Sequence, residues 1–216
     1  RVDPEEYLRI IKTAIQFNQF ELYEQLINVA NCDITILNPH RISILHLAAS
    51  TNNIEILLNC LEHGIDINVR DNQGRTPLHY AAENGQCESL FALISANEID
   101  INAQDIDGVA PIHLAAKNNK LDAIQILQTN SDLDLDITDS KSNNAIKNGN
   151  KDVVYYLLSL HIDVNKRNKL GLAPIHYAIK VKQYEIVSLL LTHNFLDINY
   201  QDDISMDIFF IKVFYL

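Results

Sequence analysis

The sequence predicts an all-α fold, a linear stack of helix-turn-helix repeats joined by β-hairpin-like turns. The block Thr76-Pro77-Leu78-His79-Tyr80-Ala81-Ala82 recurs with small changes at 43–49, 110–116 and 173–179. The first three copies begin 33 and 34 residues apart, and a second apolar stretch follows each copy. Such a period is typical of repeat proteins, in which each two-helix unit buries its apolar face against its neighbours.

The first helix of each repeat is predicted from local rules. Thr76 can cap a helix, and Pro77 suits the first helical position, where its missing N–H is harmless. The paired alanines keep this helix thin, so that a neighbouring helix can approach closely. The second helix carries bulky apolar residues at helical spacing.

The segments between repeats combine turn residues with short extended stretches. An Asx residue precedes a glycine in 71–74, 105–108 and 168–171, as expected where a turn requires positive φ. Strand-like segments are predicted at 65–68, 99–102, 162–165 and 196–199. All six glycines lie at repeat junctions or helix ends, so none remains for a phosphate-binding loop.

The composition is that of an acidic globular protein. Of the 216 residues 47% are hydrophobic, and the formal net charge is −11. An acidic surface is unsuited to a nucleic-acid backbone or an anionic membrane, so we expect no nucleic-acid partner and no membrane insertion. Three cysteines without zinc-like spacing predict no disulfide framework and no metal site, which favours a reducing, cytoplasmic setting inside a cell.

These repeats resemble ankyrin repeats, and the resemblance covers residues of about 4–203. We therefore predict an ankyrin-repeat domain over 1–203, followed by a separate segment at 204–216. The first repeat is degenerate: Ile11, Ala14 and Ile15, then Phe20, Leu22, Leu26 and Ile27, keep the two-helix rhythm without the histidine block. The predicted repeats are about 4–37, 38–70, 71–104, 105–138, 139–167 and 168–201.

Two regions depart from the repeat pattern. The fifth repeat lacks about one helical turn and the Pro-His block, so its first helix is predicted to be shortened to Asn144–Asn148 or melted. The segment 204–216 is apolar and too short to span a bilayer. It is a cover for the last repeat, a remnant of a seventh repeat, or a docking segment.

Histidine and cysteine are the side chains that could suggest chemistry, but neither set predicts catalysis. The resemblance implies that the repeat histidines hydrogen-bond within the inter-repeat turns; these are His46, His79, His113 and His176. His63, His161 and His193 recur at the end of the second helix, where a donor suits exposed carbonyls. We find no nucleotide-binding, nucleophile or His-Glu-x-x-His motif. We therefore predict no enzyme, no catalytic residue and no cofactor.

The resemblance implies a concave groove made of hairpin tips and first helices. Its candidate partner-binding residues are Arg70, Asn72, Arg75, Glu83, Asn84, Ile106, Asp107, Val109, Lys117, Asn118, Lys169, Leu170, Leu172 and Lys180. Taken over all such positions, basic residues outnumber acidic ones, although the chain is acidic. The prediction is a neutral to mildly basic groove with apolar contacts, suited to an acidic and apolar protein segment.

The function expected from this resemblance is non-catalytic protein recognition by a monomeric adaptor or scaffold. The alternative is a targeting or regulatory fragment of a larger protein whose activity lies outside this chain. The resemblance does not identify the partner, because one fold serves many functions.

Overall fold

The computed structural model describes residues 4–30, 38–134, 144–160, 162–168, 171–194 and 196–197. Within these residues the regular structure is helical, with no strand. The described helices are α1 (Pro4–Gln16), α2 (Phe20–Ala30), α3 (Ile44–Thr51), α4 (Ile54–Glu62), α5 (Pro77–Asn84), α6 (Cys87–Ile94), α7 (Pro111–Lys117), α8 (Leu121–Leu127), α9 (Asn144–Lys147), α10 (Lys151–Ser159), α11 (Pro174–Lys180) and α12 (Tyr184–Leu191).

The chain divides into two compact units. The first comprises Arg1–Ala115 with Asp122–Leu133, and the second comprises Ala116–Leu121 with Asp134–Leu216. Within the first unit, α1, α3 and α5 pack side by side, and α2, α4 and α6 form a second layer behind them. Within the second unit, α9 packs on α11 and α10 on α12. Each unit is therefore built from stacked helix pairs, as the sequence predicts.

Helices α3 and α5 begin with the predicted capping residues. Thr76 is the N-cap of α5 and Pro77 is at the first helical position. At α3, the hydroxyl of Ser43 accepts a 3.3 Å hydrogen bond from the backbone N–H of His46. Ala173 is the N-cap of α11 and makes no side-chain cap bond. The Thr76 hydroxyl lies 3.0 Å from His79 Nδ1, so the hydroxyl contact at this position differs between α3 and α5 and is missing at α11.

Small and large apolar residues divide the core between the two layers. The paired alanines Ala48, Ala49, Ala81 and Ala82 are fully buried, and this allows the first helices to approach one another closely. Behind them lie the large side chains of the second helices, Ile56, Leu57, Leu90 and Leu93, also fully buried. Burial of each large side chain contributes ~1.5–3 kcal/mol, so this layer supplies much of the stability.

The predicted strand-like segments that the structure describes are turns instead. Asp66 explains the difference at the first of them, because its carboxylate accepts a 2.9 Å bond from the N–H of Asn68 and its carbonyl accepts one from Val69. This Asx turn gives the backbone a local alternative to extended structure. Ala103 N–H donates to the carbonyl of Asp100 in the same way, at 3.2 Å.

The first helix pair keeps the predicted rhythm but centres its second helix on an unexpected residue. Ile11, Ala14 and Ile15 are buried as expected. In α2 the fully buried side chain is Tyr23, whereas Leu22, one of the residues of the predicted rhythm, is 41% exposed. Tyr23 is preferred because its hydroxyl donates to Asn59 Oδ1 at 3.2 Å, a polar contact across two repeats that apolar periodicity does not reveal.

The predicted shortening of the fifth repeat is confirmed. Helix α9 has four residues, whereas α5 has eight. Ala145 and Ile146 are nevertheless buried, so the remaining turn still packs. The predicted repeat boundaries remain predictions, and the segment 204–216 lies outside the described residues.

Candidate functional site

The candidate site in the first unit is built on the tips of two consecutive turns. In the turn 71–75, one carboxylate oxygen of Asp71 accepts the N–H groups of Gln73 and Arg75, at 2.8 and 2.9 Å. Gly74 has φ +74°, and a Cβ atom there would lie 3.2 Å from Ile106 N. The next turn repeats the arrangement: Asp105 accepts from Asp107 and Val109 at 2.9 Å.

Backbone hydrogen bonds join the tips to one another. The backbone N–H of Asn72 donates to the carbonyl of His40 at 2.9 Å, and the side-chain amide of Asn72 donates to the carbonyl of Pro39 at 3.0 Å. The N–H of Ile106 donates to the carbonyl of Gln73 at 2.9 Å. Three successive tips are thus held in a fixed array, which lowers the conformational entropy lost when a partner binds them.

The repeat histidines connect each first helix to the following turn. His46 Nδ1 lies 3.1 Å from the backbone N–H of Ser43, and its Nε2 lies 2.9 Å from the carbonyl oxygen of Arg75. Because an N–H faces Nδ1, the proton must be on Nε2, which donates to the carbonyl. His79 makes the same pair of bonds, to Thr76 and Val109. The structural role predicted for these two histidines is confirmed.

Burial keeps both rings neutral. It lowers the pKa of His79 from 6.5 to about 4, against the opposing effect of the bond to the Val109 carbonyl. Burial likewise lowers the pKa of His46. A protonated ring would lose the acceptor at Nδ1, so these connections require the neutral form.

The other histidines occupy the expected places where the structure describes them. His113 Nδ1 accepts from the N–H of Ala110 at 2.9 Å, and His176 is buried at the same repeat position. At the helix ends, His63 Nδ1 lies 2.8 Å from the carbonyl of Asn59, and His193 Nε2 lies 3.3 Å from that of Leu158. His161 lies outside the described residues.

The two arginines of the tips lie close to carboxylates. Arg75 is half-buried, 3.1 Å from a Glu83 oxygen and 3.5 Å from an Asp105 oxygen. Arg70 donates to the carbonyls of Gly74 and Gln104, at 2.9 and 2.7 Å, and lies 3.9 Å from Asp100. These arginines therefore brace the turns, and the predicted charge of the groove stays a prediction.

Most of the predicted binding residues that the structure describes lie at the surface. The exposed ones are Arg70, Asn72, Asn84, Ile106, Asp107, Lys117, Asn118 and Lys180, and Arg75 and Glu83 are half-buried. Ile106 is 75% exposed, more than any other large hydrophobic residue among those described. Lys117, Asn118 and Lys180 belong to the second unit. Lys169 and Leu170 lie outside the described residues.

The predicted apolar contacts at Val109 and Leu172 are wrong, because both side chains are buried. Each is the last residue of its turn and closes it: Val109 N–H donates to Asp105, and Leu172 N–H to Asn168 Oδ1 at 3.1 Å. The Val109 carbonyl also accepts from His79, which draws this end of the turn against the preceding helix. Val109 and Leu172 were predicted to be binding residues because they take the same repeat position as Arg75, which is half-buried.

The second helices carry part of the negative charge of the chain. Each has an acidic residue in its first turn, where it interacts favourably with the helix dipole. These residues are Glu21, Glu55, Glu88, Asp122, Asp152 and Glu185. These carboxylates lie outside the tips, although the tips also contain Asp71, Asp105 and Asp107.

Two further findings concern the described residues alone. They contain no group of three or more His, Cys, Asp or Glu side chains able to hold a metal ion. Every helix among them is too short or too polar to cross a membrane.

Comparison with known proteins places this geometry in a family. A family model described as Ankyrin repeats (3 copies) matches residues 11–105, 93–165 and 112–202. Putative ankyrin repeat protein FPV233 of Fowlpox virus (strain NVSL) is 38% identical over 202 residues, covering 89% of this chain and 39% of the relative. Acyl-CoA-binding domain-containing protein 1 of Arabidopsis thaliana is 42% identical over 60 residues, covering 28% of this chain and 18% of the relative.

The fold is also found in solved structures. The crystal structure of the ankyrin repeat domain of Bcl-3 matches with a TM-score of 0.77 and 22% identity, covering 92% of this chain and 91% of that one. This chain spans well under half of the length of the curated relatives it matches. Since the family model matches most of the sequence and the helix pairs have the corresponding fold, the chain belongs to the ankyrin-repeat family.

Proposed function

We propose that this chain is a non-catalytic recognition module that binds a protein partner on the tip surface of its first unit. The observation that carries the proposal is the array of hydrogen-bonded tips, which presents Ile106 with 75% of its surface exposed. An apolar side chain on a rigid support is suited to a contact that excludes water, because little ordering is required on binding.

The charges of this surface shape the expected partner. Arg75 is half-buried and already paired with two carboxylates, so a partner gains little by neutralising it. The exposed Arg70–Asp100 pair, 3.9 Å apart, contributes little, so Arg70 can still pair with a carboxylate of the partner. Exposed Asn72 and Asp107 flank the apolar tip, and the Asn72 side-chain amide already donates to the Pro39 carbonyl. We infer a partner segment with an apolar anchor and polar neighbours, bound inside a cell by a monomeric adaptor or scaffold.

The test is affinity capture from the source cell with matched variants. Ile106→Asp places a charge on the tip, and Phe91→Asp is the control, since Phe91 is 64% exposed on α6 in the same unit. Proteins held by the wild type and by Phe91→Asp should be lost at least tenfold from Ile106→Asp. Loss in Phe91→Asp with retention in Ile106→Asp would move the site to the second helices and contradict the proposal.

A second function is favoured by the relatives' lengths. The matched relatives extend well beyond the aligned region, so this domain is also suited to target or regulate an activity located elsewhere in a longer polypeptide. The two functions differ in what the partner is. Cross-linking that joins the tips to a segment of the same polypeptide favours regulation, and cross-links to another protein favour the adaptor.

A further inference from the structure

A cavity of about 180 Å³ lies at the first repeat junction, between α1 and the segment that leads into α3. Its lining includes Arg9, Ile11, Lys12, Ile42, Ile44 and Leu47, all within the first unit. Ligand pockets for small molecules usually measure about 300–1,000 Å³. This cavity is therefore of a size for one side chain of a binding peptide.

The cavity lies where the repeat pattern would place a histidine. Asn18 follows α1 and has φ 53°, and Asn52 follows α3 and has φ 59°. These two residues take equivalent positions, and this aligns the sequence of α1 with that of α3. Counting back equally from each places Lys12 where the next repeat has His46. The Lys12 side chain is exposed, whereas that of His46 is fully buried.

The next junction shows what normally fills this space. There the ring of His46 packs edge-on against Tyr80, with centroids 5.1 Å apart, and reaches the carbonyl of Arg75. At the first junction the two rings are replaced by Lys12 and Leu47. Two aromatic rings are thus exchanged for flexible or smaller side chains, which leaves an apolar space with a solvent-exposed lysine beside it.

The two charged residues that line the cavity, Arg9 and Lys12, are both basic. Arg9 and Lys12 are exposed, and none of the described lining residues is acidic. Arg9 lies 3.8 Å from Glu6, with side-chain exposures of 76% and 55%. An ion pair this exposed contributes little and is readily exchanged for another carboxylate.

We propose that this cavity binds one aliphatic side chain of an acidic peptide segment, whose carboxylates pair with Arg9 and Lys12. The inference rests on the proposed function, because it adds a second contact for a protein partner. The predicted acidic and apolar ligand would then bind at the first junction. There, Arg9 and Lys12 are not paired with a buried carboxylate, whereas Arg75 is. Opposite charge at the rim and an apolar wall formed by Ile42 and Leu47 provide the complementarity.

The direct test is an NMR titration of the full chain, observed at its Ile and Leu methyl groups. The probe is the synthetic peptide acetyl-Glu-Asp-Leu-Asp-Glu-amide at up to millimolar concentration. Shifts at the methyls of Ile42 and Leu47 are expected, and they should be at least tenfold weaker with Ala in place of the peptide's Leu or Lys in place of its acidic residues. No shift at these methyls, or equal binding of the lysine peptide, overturns the inference.

Variants of the chain test the cavity itself. Lys12→His restores the missing ring and should fill the space, so the peptide should bind at least tenfold more weakly. Lys147→His, at an exposed lysine of the second unit, is the matched control and should bind as the wild type does. Arg9→Glu/Lys12→Glu reverses the rim charge without touching the core and should also abolish binding.

These outcomes separate the two proposals. Peptide binding that survives both Lys12→His and Arg9→Glu/Lys12→Glu rules out the cavity and leaves the tip surface unaffected. Retention of protein partners by Ile106→Asp rules out the tip surface, whatever the peptide does. Circular dichroism of each variant shows whether the helices have formed, and the charge reversal affects only exposed side chains.

Discussion

The helix pairs α5–α6 and α9–α10 belong to the same kind of repeat, but the first helix of the second pair is shorter. In the first pair an eight-residue helix carries the capped Pro-His block and reaches the next turn through His79. In the second, the first helix has four residues, while α10 keeps nine. The second helix thus forms without the block, because its own apolar face is buried; the block serves the first helix and its turn.

Core truncation should give the largest contrast between the two pairs. Leu78→Ala removes a fully buried side chain from α5 and should lower the free energy of unfolding by ~2–5 kcal/mol. Ile146→Ala in α9 should cost less, since a single helical turn can relax around the missing atoms. Urea unfolding followed by far-UV circular dichroism measures both, because the chain has no Trp. Equal losses would contradict the contrast.

Lowering the pH should destabilise the helix pair α5–α6, which contains His79. The pKa of His79 falls to about 4 in the folded chain from 6.5, so the unfolded chain binds more protons between these values. The contribution of His79 to the free energy of unfolding is therefore fully present above pH 6.5. It decreases by about 3 kcal/mol as the pH falls towards 4.

Urea unfolding at several pH values measures this slope. His79→Gln should flatten it over the same interval, although the variant starts less stable. The fifth repeat has no histidine in its first helix, so Ile146→Ala should leave the slope unchanged. A slope that is the same with and without His79 would show that other groups dominate.

Hydrogen exchange should separate the two first helices directly. Backbone amides at the end of α9, near Gly149, should exchange at least tenfold faster than those near Gly85 in α5, because a one-turn helix opens with fewer broken contacts. Mass spectrometry of peptic fragments at neutral pH reports both regions in one sample. Equal protection would mean that packing compensates fully for the lost turn.

Capping provides the smallest and most local test. Ala110 takes the position of Thr76 but lacks a hydroxyl, so Ala110→Thr should add ~1 kcal/mol to stability. Ala92→Thr, within α6, is the control and should lower stability, since Thr is a weaker helix former than Ala. Thermal melting distinguishes them by sign. A fall in melting temperature for Ala110→Thr would contradict the repeat register.

The sequence alone determined the repeat architecture of this protein, because its rules are local. Capping by Thr76, the first-turn proline Pro77 and the apolar spacing of each helix depend on neighbours a few residues away. The shortened α9 followed from the same reasoning, since a missing turn shows directly in the residue count. Most tip residues were also placed at the surface correctly, because repeat position sets their direction.

Only the tertiary structure decided which of those residues remain available to a partner. Arg75 pairs with Asp105, thirty positions later, and Val109 is drawn inwards by His79 of the preceding repeat. The cavity beside Lys12 likewise depends on how α1 packs against α3 and the turn before it. Such contacts join residues about one repeat apart, and their burial and charge pairing depend on how neighbouring repeats pack, which local sequence rules do not specify.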